Sequence, residues 1–269
     1  MNIFVCPVCR GELEKIEGSY KCANGHSFDI SSSGEVFLLR TSKGAHGDSR
    51  EMVLARKKYL ELGYYEPLSR AIENGVRELD FETSVVYFDA GCGTGYYTKR
   101  IYEALKECHD TRLFGVDISK DATKICAKAI KEGSFATASL YELPVKSEAV
   151  DLVTNIFSPM ADSELLRILK KGGYLFYAVP APKHLFSLKQ VLYNTPYENE
   201  EKEVEYDGFE HVTRLEVNSV STLSGDELQN LFSMTPYFWR TSKEGVERLK
   251  KKEKLDVEFS FYVHIYRKI

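Results

Sequence analysis

The stretch SVVYFDAGCGTGYYTKRIYEAL (84–105) decides the fold. It begins with a short apolar run, Val85 to Phe88, whose β-branched residues predict a buried strand. Three glycines follow, and Tyr97 to Leu105 then repeat apolar residues at helical period. A strand, a glycine turn and a helix in this order open a doubly wound α/β sheet. We therefore expect a ligand at the turn, where the helix N-terminus offers free N–H groups.

The next strand ends in an acid. Arg112 to Val116 predict a strand, and Asp117 lies 22 positions beyond Gly95 (117 minus 95), a distance that suits hydrogen bonds to ribose hydroxyls. A dinucleotide fingerprint would need glycine at position 96, which is Tyr96. The pattern therefore favours S-adenosylmethionine, which has the ribose but no pyrophosphate.

Later segments continue the α/β alternation. The sequence predicts strands at Phe135–Ala138, Asp151–Ile156 and Tyr174–Val179, a helix at Leu165–Leu169 and a turn at KKGG (170–173). Polar residues stand at the carboxyl ends of the predicted strands, where open parallel sheets bind ligands. They are Asp89, Asp117, Ser139 and Asn155.

Upstream, the pattern predicts a small strand from Val36 to Leu39 and then a linker. A helix follows, capped by Asp48 or Ser49 and stopped by Gly63, and a second helix runs from about Pro67 to Leu79. We expect three parts: a small N-terminal module (1–35), a linker with helices (36–80) and the α/β domain (81–269).

The N-terminal module is predicted from Cys6, Cys9, Cys22 and His26, in the pattern C-x2-C-x12-C-x3-H. Soft sulfur and nitrogen ligands at this spacing favour zinc, and four protein ligands leave no open position, so the site is expected to be structural. A chance cluster of thiols or a redox C-x-x-C is the alternative. Cys92, Cys108 and Cys126 are read as packing residues.

Composition limits the class of protein. The chain has 269 residues, 43% hydrophobic and 28% charged, with no apolar run long enough to cross a bilayer and no secretory signal pattern. We therefore expect a cytoplasmic protein without membrane contact, in which cysteines stay reduced.

DAGCGTG followed by GVDIS resembles the first two motifs of class I methyltransferases. With the cysteine pattern, and with DSREMVLARKKYLELGYYEPL, PAPKHLFSLKQVLYN and MTPYFWR, essentially the whole chain resembles the RlmA family of 23S rRNA guanine-N1 methyltransferases. The resemblance implies a Rossmann-like fold with a mixed seven-stranded sheet, a homodimer, and cofactor contacts from the following residues. They are Tyr65, Asp89, Gly91, Cys92, Gly93, Gly95, Tyr97, Thr98, Asp117, Ile118, Ser139, Asn155 and His184.

The implied reaction is methyl transfer from S-adenosylmethionine to N1 of a guanine in a hairpin loop of 23S rRNA. A small-molecule or quinone methyltransferase, and a non-catalytic binding protein, are the alternatives. The general base is not identified, and Phe157 is a candidate to stack on a flipped base or a packing residue at a strand end.

Charge is uneven along the chain, whose net charge is −4. Residues 198–210 carry seven acids and one lysine, whereas residues 40–58 carry six bases and two acids and residues 243–254 six bases and three acids. We expect the zinc module and residues 40–58 to bind RNA, although solvated faces or a dimer contact remain alternatives.

Overall fold

The computed structural model describes residues 2–40, 47–81, 84–201 and 204–269. Its strands are β1 (Glu14–Ile16), β2 (Ser19–Lys21), β3 (Ser27–Asp29), β4 (Glu35–Phe37), β5 (Ser84–Ala90), β6 (Asp110–Asp117), β7 (Ser134–Thr137), β8 (Val150–Ile156), β9 (Leu169–Pro180), β10 (Phe209–Ser224) and β11 (Lys254–Lys268). Its helices are α1 (Arg50–Leu60), α2 (Glu66–Arg77), α3 (Tyr96–Lys106), α4 (Lys120–Ala129), α5 (Asp162–Ile168), α6 (Phe186–Leu192), α7 (Gly225–Met234) and α8 (Lys243–Lys250). Two short 3₁₀ helices span Leu140–Glu142 and Pro236–Trp239.

The main sheet has eight strands in the order β10-β11-β9-β8-β5-β6-β7-β4. The strands from β9 to β4 are parallel, and β11 is antiparallel to both β9 and β10. The expected Rossmann-like mixed sheet is confirmed, but its predicted number of seven strands is wrong. The eighth strand is β4, which pairs in parallel with β7 at the edge of the sheet. The short apolar run near residue 36 therefore belongs to the main sheet.

Both faces of the sheet are covered, as the apolar run of β5 predicts. Tyr87 packs into a core with α2, α3 and α4, whereas Val86 and Phe88 face the opposite core. Since successive residues of a strand point to opposite faces, a strand buried on both sides is apolar at nearly every position.

The N-terminal module packs directly on the second face. The backbone N–H of Val5 donates to the carbonyl of Pro144 (2.9 Å), and that of Lys146 donates to Ile3 (2.9 Å). Phe4 is fully buried, with its ring 5.6 Å from Phe114 of β6. Between β7 and β8 the chain forms only a 3₁₀ helix, so the module covers part of the face there. The three-part division of the chain stays a prediction.

Local signals explain most boundaries. Ser49 caps α1 by accepting a hydrogen bond from Met52 N (3.3 Å), as its position before the apolar repeat predicts. The predicted turn at residues 170–173 lies inside β9 as an irregularity, because Leu169 pairs with Val150 and Tyr174 already pairs with Leu152. In the part of the chain that the structure describes, no helix combines the length and apolarity that a bilayer crossing requires.

Candidate functional site

The carboxyl ends of β5, β6, β7 and β8 meet at one edge of the sheet. Asp89 is level with Thr154 of β8 and Gly115 of β6, and Asp117 is level with Thr137 of β7. Ser139 and Asn155 follow within two residues of these positions. The four polar side chains predicted from strand ends therefore stand along the same edge, as the parallel topology requires.

Asp117 holds the glycine loop through its backbone. One carboxylate oxygen accepts the N–H of Gly93 (2.9 Å) and the other accepts the N–H of Ser119 (2.8 Å). Burial raises the pKa of Asp117 above its ordinary value. Each oxygen has a further lone pair, so the carboxylate can also accept hydrogen bonds from two hydroxyl groups of a bound ribose.

The three glycines of the loop have different roles. At Gly91 (φ 93°) an added Cβ would lie 1.8 Å from Ser158 Oγ, because the loop after β8 packs against this position. At Gly95 (φ 88°) it would lie 3.0 Å from Cys126 Sγ of α4. Only Gly93 (φ 52°) has no atom within 4 Å, so the predicted close approach of a ligand has room there. The cofactor contacts of all three stay predictions.

Asp89 is buried and organises the floor of the site. Its carboxylate accepts the hydroxyl groups of Thr98 (2.5 Å) and Thr154 (3.0 Å), and Thr154 also contacts the Tyr87 hydroxyl (2.8 Å). Burial raises the pKa of Asp89 to about 6. Asp89 therefore joins the start of α3 to β8. The predicted cofactor contacts of Asp89 and Thr98 stay predictions.

Cys92 turns its side chain away from the loop and into the core. Its thiol interacts with that of Cys126, and this interaction together with burial raises the pKa of Cys92 well above the ordinary value. Only the backbone of Cys92 is therefore available to a ligand. The sequence predicts that Cys126 and Cys108 are packing residues. Cys126 is buried, which agrees with this prediction, but Cys108 is exposed, so the prediction is wrong for Cys108.

The residues just before α1 cover the end of β6. An added Cβ at Gly47 would lie 3.1 Å from Ile118 Cγ2, and the Ser119 hydroxyl donates to the carbonyl of Asp48 (3.3 Å). Arg56 forms an ion pair with Asp48, and its charge lowers the pKa of Asp117, against the larger effect of burial. The side chain of Ile118, predicted to pack on adenine, thus lies under this segment.

An aromatic wall forms the other side of the site. Tyr65 lies 6.1 Å from Phe157 and 6.3 Å from His184, and Phe261 of β11 lies 4.6 Å from His184 (ring centroids). Tyr97 lies 6.4 Å from Phe157. Three of the predicted cofactor contacts, from distant parts of the sequence, are therefore brought together. Phe261 is a member of this wall that the sequence analysis missed, because nothing distinguishes it from an ordinary strand residue.

His184 is buried and neutral. Its Nδ1 accepts the N–H of Ser260 (3.3 Å), so the ring proton lies on Nε2. Burial, with a smaller contribution from Lys189, lowers the pKa of His184 to about 3. His184 can therefore donate a hydrogen bond through Nε2 but cannot accept a proton there.

Phe157 adopts a left-handed backbone conformation (φ 58°) immediately after β8. This conformation is costly for an aromatic residue and is found preferentially at functional sites. The side chain is 41% exposed and lies against the aromatic wall. The strain itself could not be read from the sequence.

Two buried polar atoms at this edge have no partner in the described structure: Asn155 Oδ1 and the Tyr97 hydroxyl oxygen. Asn155 uses its amide nitrogen to donate to the carbonyl of Pro159 (2.9 Å), which leaves the oxygen as an acceptor. Since unpaired buried polar atoms are costly, these two atoms fit a ligand that carries a donor for Asn155 Oδ1 and an acceptor for the Tyr97 hydroxyl. S-adenosylmethionine has ribose hydroxyls and an ammonium group, so the residues present fit it. Ser139 caps the first 3₁₀ helix by accepting a hydrogen bond from Tyr141 N (3.2 Å), and its contact with a cofactor stays a prediction.

The predicted metal ligands converge. The donor atoms of Cys6, Cys9, Cys22 and His26 all lie within 4.8 Å of one another. Cys9 Sγ is 3.7 Å from Cys22 Sγ, and His26 Nδ1 is 3.3 Å from Cys22 Sγ. Tetrahedral zinc with ordinary bond lengths requires roughly 3.8 Å between two sulfurs and roughly 3.6 Å between sulfur and nitrogen. The cluster therefore has the size and chemistry of a closed structural zinc site.

Comparison with known proteins agrees with both parts. Residues 88–173 match the methyltransferase domain model, and residues 4–43 match the RlmA N-terminal zinc ribbon model. The methyltransferase domain implies S-adenosylmethionine as cofactor, and the zinc ribbon implies structural zinc. Among solved structures, the chain is similar to one chain of the complex between the Haloferax volcanii Trm112 methyltransferase activator and a protein whose name assigns it to the methyltransferases. The TM-score is 0.51 with 18% identity, and the match covers 82% of this chain and 99% of the other. A protein of Bacillus halodurans C-125, whose name assigns it to the methyltransferases, has a TM-score of 0.50 with 14% identity, over 74% of this chain and 97% of the other. These two likenesses concern the fold.

Two curated relatives extend over nearly the whole chain. The 23S rRNA (guanine(748)-N(1))-methyltransferase of Streptomyces fradiae is 30% identical, with 90% of this chain and 88% of the relative covered. YxjB of Bacillus subtilis (strain 168), whose name assigns it to the 23S rRNA (guanine-N(1)-)-methyltransferases, is 30% identical over 95% of this chain and 94% of its own. The chain belongs to the RlmA-type 23S rRNA (guanine-N1)-methyltransferase family.

Proposed function

We propose that the protein transfers a methyl group from S-adenosylmethionine to N1 of a guanine in a hairpin loop of 23S rRNA. The observation that carries this proposal is the combination in one chain of the Asp117–Gly93 pocket with the four-ligand metal cluster. The methyltransferase pocket alone would serve many acceptors, including small molecules, but a small-molecule enzyme leaves the zinc ribbon without a reason. The names of the relatives support the same acceptor.

The cofactor supplies an activated methyl group on a sulfonium, so the residues of the chain mainly bind and align. In this proposal Asp117 accepts the ribose hydroxyls, the backbone of Gly93 lies against the cofactor, and Asn155 Oδ1 accepts a donor of the bound molecules. Tyr65 and Tyr97 close the pocket. Burial raises the pKa of Tyr65 and Tyr97, so both phenols stay protonated and serve as donors.

The acceptor guanine enters beside Phe157. Its exposed ring is fixed by the neighbouring rings and by an unusual backbone conformation, which suits a stacking platform for a base taken out of its stack. Guanine N1 must lose a proton, and His184 is excluded as its acceptor because Nδ1 is occupied and Nε2 carries hydrogen. The proton therefore leaves to water or to another group beside the bound guanine.

RNA binding is proposed for the zinc ribbon and residues 40–58. Of this segment, residues 41–46 lie outside the described residues, whereas Lys57 and Lys58 lie in the last turn of α1. The acidic segment 198–210 includes residues 202–203, also outside the described part, and it is expected to face away from RNA. Affinity for the hairpin should fall steeply between low and moderate salt, because each phosphate contact releases counterions. A flat salt dependence would contradict the basic footprint.

A homodimer is proposed as the functional unit. Val8 is exposed between two metal ligands, Cys6 and Cys9, and offers an apolar contact on the zinc ribbon. Sedimentation velocity of wild type and Val8→Asp tests this, and a wild-type monomer would refute the dimer. Deleting the module is a poor test, because it would uncover the apolar core around Phe4. Because ribosomal RNA is the substrate, we expect the protein to act in the cytoplasm.

The activity is tested with radiolabelled S-adenosylmethionine and unmodified 23S rRNA, followed by digestion to nucleosides. Label in 1-methylguanosine supports the proposal. Label in another nucleoside, or only in small metabolites, refutes it. Zinc-replete protein is used throughout, and binding of unlabelled S-adenosylmethionine is measured in parallel by calorimetry.

A further inference from the structure

One motif has no role in the site described so far. MTPYFWR (234–240) forms the connection between α7 and α8, and its Trp239 is the single tryptophan of the chain. The indole is 70% exposed, the highest exposure among the large hydrophobic side chains of the described residues. A ring left in water contributes little hydrophobic stabilisation to the fold, so the apolar surface of this indole stays available to a partner.

The indole is supported from beneath. Its ring lies 5.1 Å from that of Phe238 in a perpendicular contact, and Phe238 lies 5.5 Å from the buried Phe232 of α7. Tyr237, which precedes Phe238, is buried in the same core cluster as Tyr65, and Glu227 of α7 accepts the hydroxyl of the neighbouring Tyr64 (2.6 Å). The exposed ring is therefore mounted on a packed segment that also borders the cofactor pocket.

The segment 234–240 lies at the same end of the sheet as the site, the end where the parallel strands have their carboxyl termini. Phe261 of β11 pairs with Pro180, the last residue of β9, so the preceding part of β11 extends past the carboxyl end of its neighbour. That part begins at Lys254, which pairs with Ser224 at the end of β10. Since α7, the second 3₁₀ helix and α8 connect these two strand ends, they form a cap beside the pocket.

Positive charge continues from the indole along α8. Residues 240–254 contain seven bases and three acids, a local charge of +4 in a chain whose total is −4. A cleft of about 450 Å³ lies at the far end of α8, and its lining includes Arg248, Lys251 and Lys252. Arg248 is fixed there by donating to the carbonyls of Val191 and Leu192 (both 2.8 Å).

We propose that Trp239 stacks on an unpaired base of the RNA substrate next to the target guanine, and that the cleft of Arg248, Lys251 and Lys252 binds a backbone phosphate of the same strand. This inference rests on the proposed function, which supplies the RNA. An exposed aromatic ring followed by a basic groove is the arrangement that binds single-stranded nucleic acid. The α8 helix is roughly 12 Å long, which a few nucleotides of single strand span.

Because Trp239 is the only tryptophan, its emission reports directly on its surroundings. We expect this emission to be quenched on titration with an unmodified hairpin fragment of 23S rRNA. The dissociation constant obtained from the quenching should equal the one obtained by filter binding. Binding by filter assay without a change in emission would overturn the inference.

Variants test the energetic part. Trp239→Ala should weaken RNA binding by about 5- to 150-fold, the range of one base–aromatic stack, while Trp239→Phe retains most of the affinity. Lys251→Gln/Lys252→Gln should weaken binding and reduce its salt dependence. The matched control is Lys106→Gln/Lys171→Gln, from the last turn of α3 and the start of β9, both at the amino ends of the parallel strands and away from the site, and it should stay within twofold of wild type. Equal losses in both double variants would overturn the phosphate cleft.

The two levels of inference fail separately. If wild type forms 1-methylguanosine in rRNA but Trp239→Ala keeps wild-type Kd and KM, this inference is refuted and the proposed function stands. If wild type binds the hairpin with quenching but transfers no methyl to rRNA guanine, the proposed function is refuted and the RNA surface stands. Calorimetry with S-adenosylmethionine and thermal melting should be the same for wild type and Trp239→Ala, because the indole is exposed.

Discussion

Replacing Asp117 by asparagine tests the cofactor pocket most directly. The carboxylate accepts the N–H groups of Gly93 and Ser119, and in the proposed complex it also accepts ribose hydroxyls. Asparagine keeps the shape of the side chain but has only one acceptor oxygen. Its NH₂ group replaces the other oxygen and therefore faces one of the two backbone N–H donors. Hydrogen bonds to a charged group contribute about 1.5–3 kcal/mol each, so losing one weakens cofactor binding by about 10- to 150-fold.

The folded protein should tolerate the change, because two effects oppose each other. One backbone N–H loses its acceptor, which costs about 1–3 kcal/mol where water does not replace it. The substitution also removes a carboxylate whose charge burial disfavours, and this second effect stabilises the folded protein. We therefore expect a small change in melting temperature together with a large loss of affinity.

Isothermal titration calorimetry with S-adenosylmethionine measures the affinity of zinc-replete wild type and variant. The matched control is Asp121→Asn, which removes the same charge four residues away, in the first turn of α4, and should stay within twofold of wild type. The raised pKa of Asp117 adds a pH test: wild-type affinity should fall on acidification from a higher pH than for an ordinary aspartate, and the variant should lack this dependence. Equal affinities of the two variants would refute the assignment of Asp117.

Three further changes test the rest of the architecture. Phe4→Ala should lower the free energy of unfolding by about 3–5 kcal/mol in urea titrations, since its ring is fully buried against Phe114. Metal analysis should find one zinc per chain in wild type and in Cys108→Ala but none in Cys22→Ala; zinc retained in Cys22→Ala would contradict the four-ligand site. Asp89 has a pKa of about 6, raised above its unfolded value, so its stabilising contribution is present below about pH 4 and lost as the pH rises through 6. Relative to Asp89→Asn, wild type should lose roughly 3 kcal/mol of unfolding free energy between pH 4 and 7; a constant difference would contradict the buried carboxyl.

The parts of the fold that depend on local pattern were predictable. The run from Val85 to Phe88, the acid at 117 and the serine cap at 49 each act within a few residues, and the structure has β5, β6 and the start of α1 at these places. The convergence of strand-end residues was predictable because parallel topology alone dictates it.

What escaped prediction depends on distant contacts. Val36 lies in a segment too short to indicate its partner, so nothing in it showed that β4 would extend the main sheet. The glycine at 91 indicated a turn, but nothing in the sequence showed that Ser158, a residue 67 positions away (158 minus 91), lies where a Cβ at position 91 would be. Phe261 is likewise an ordinary strand residue until β11 is placed beside β9.

The packing of the zinc ribbon gives the metal a role beyond its own module. Phe4 contacts Phe114, which shares a core with Val116, the residue before Asp117. Ala138, which follows β7, donates its backbone N–H to the carbonyl of Asp117 (3.0 Å), and β4 pairs with β7 on its other side. The four ligands therefore hold in place a layer that packs against β6, the strand that ends at Asp117. Because so small a segment has little apolar core of its own, the metal supplies much of the folding energy of the layer that covers this face of β6.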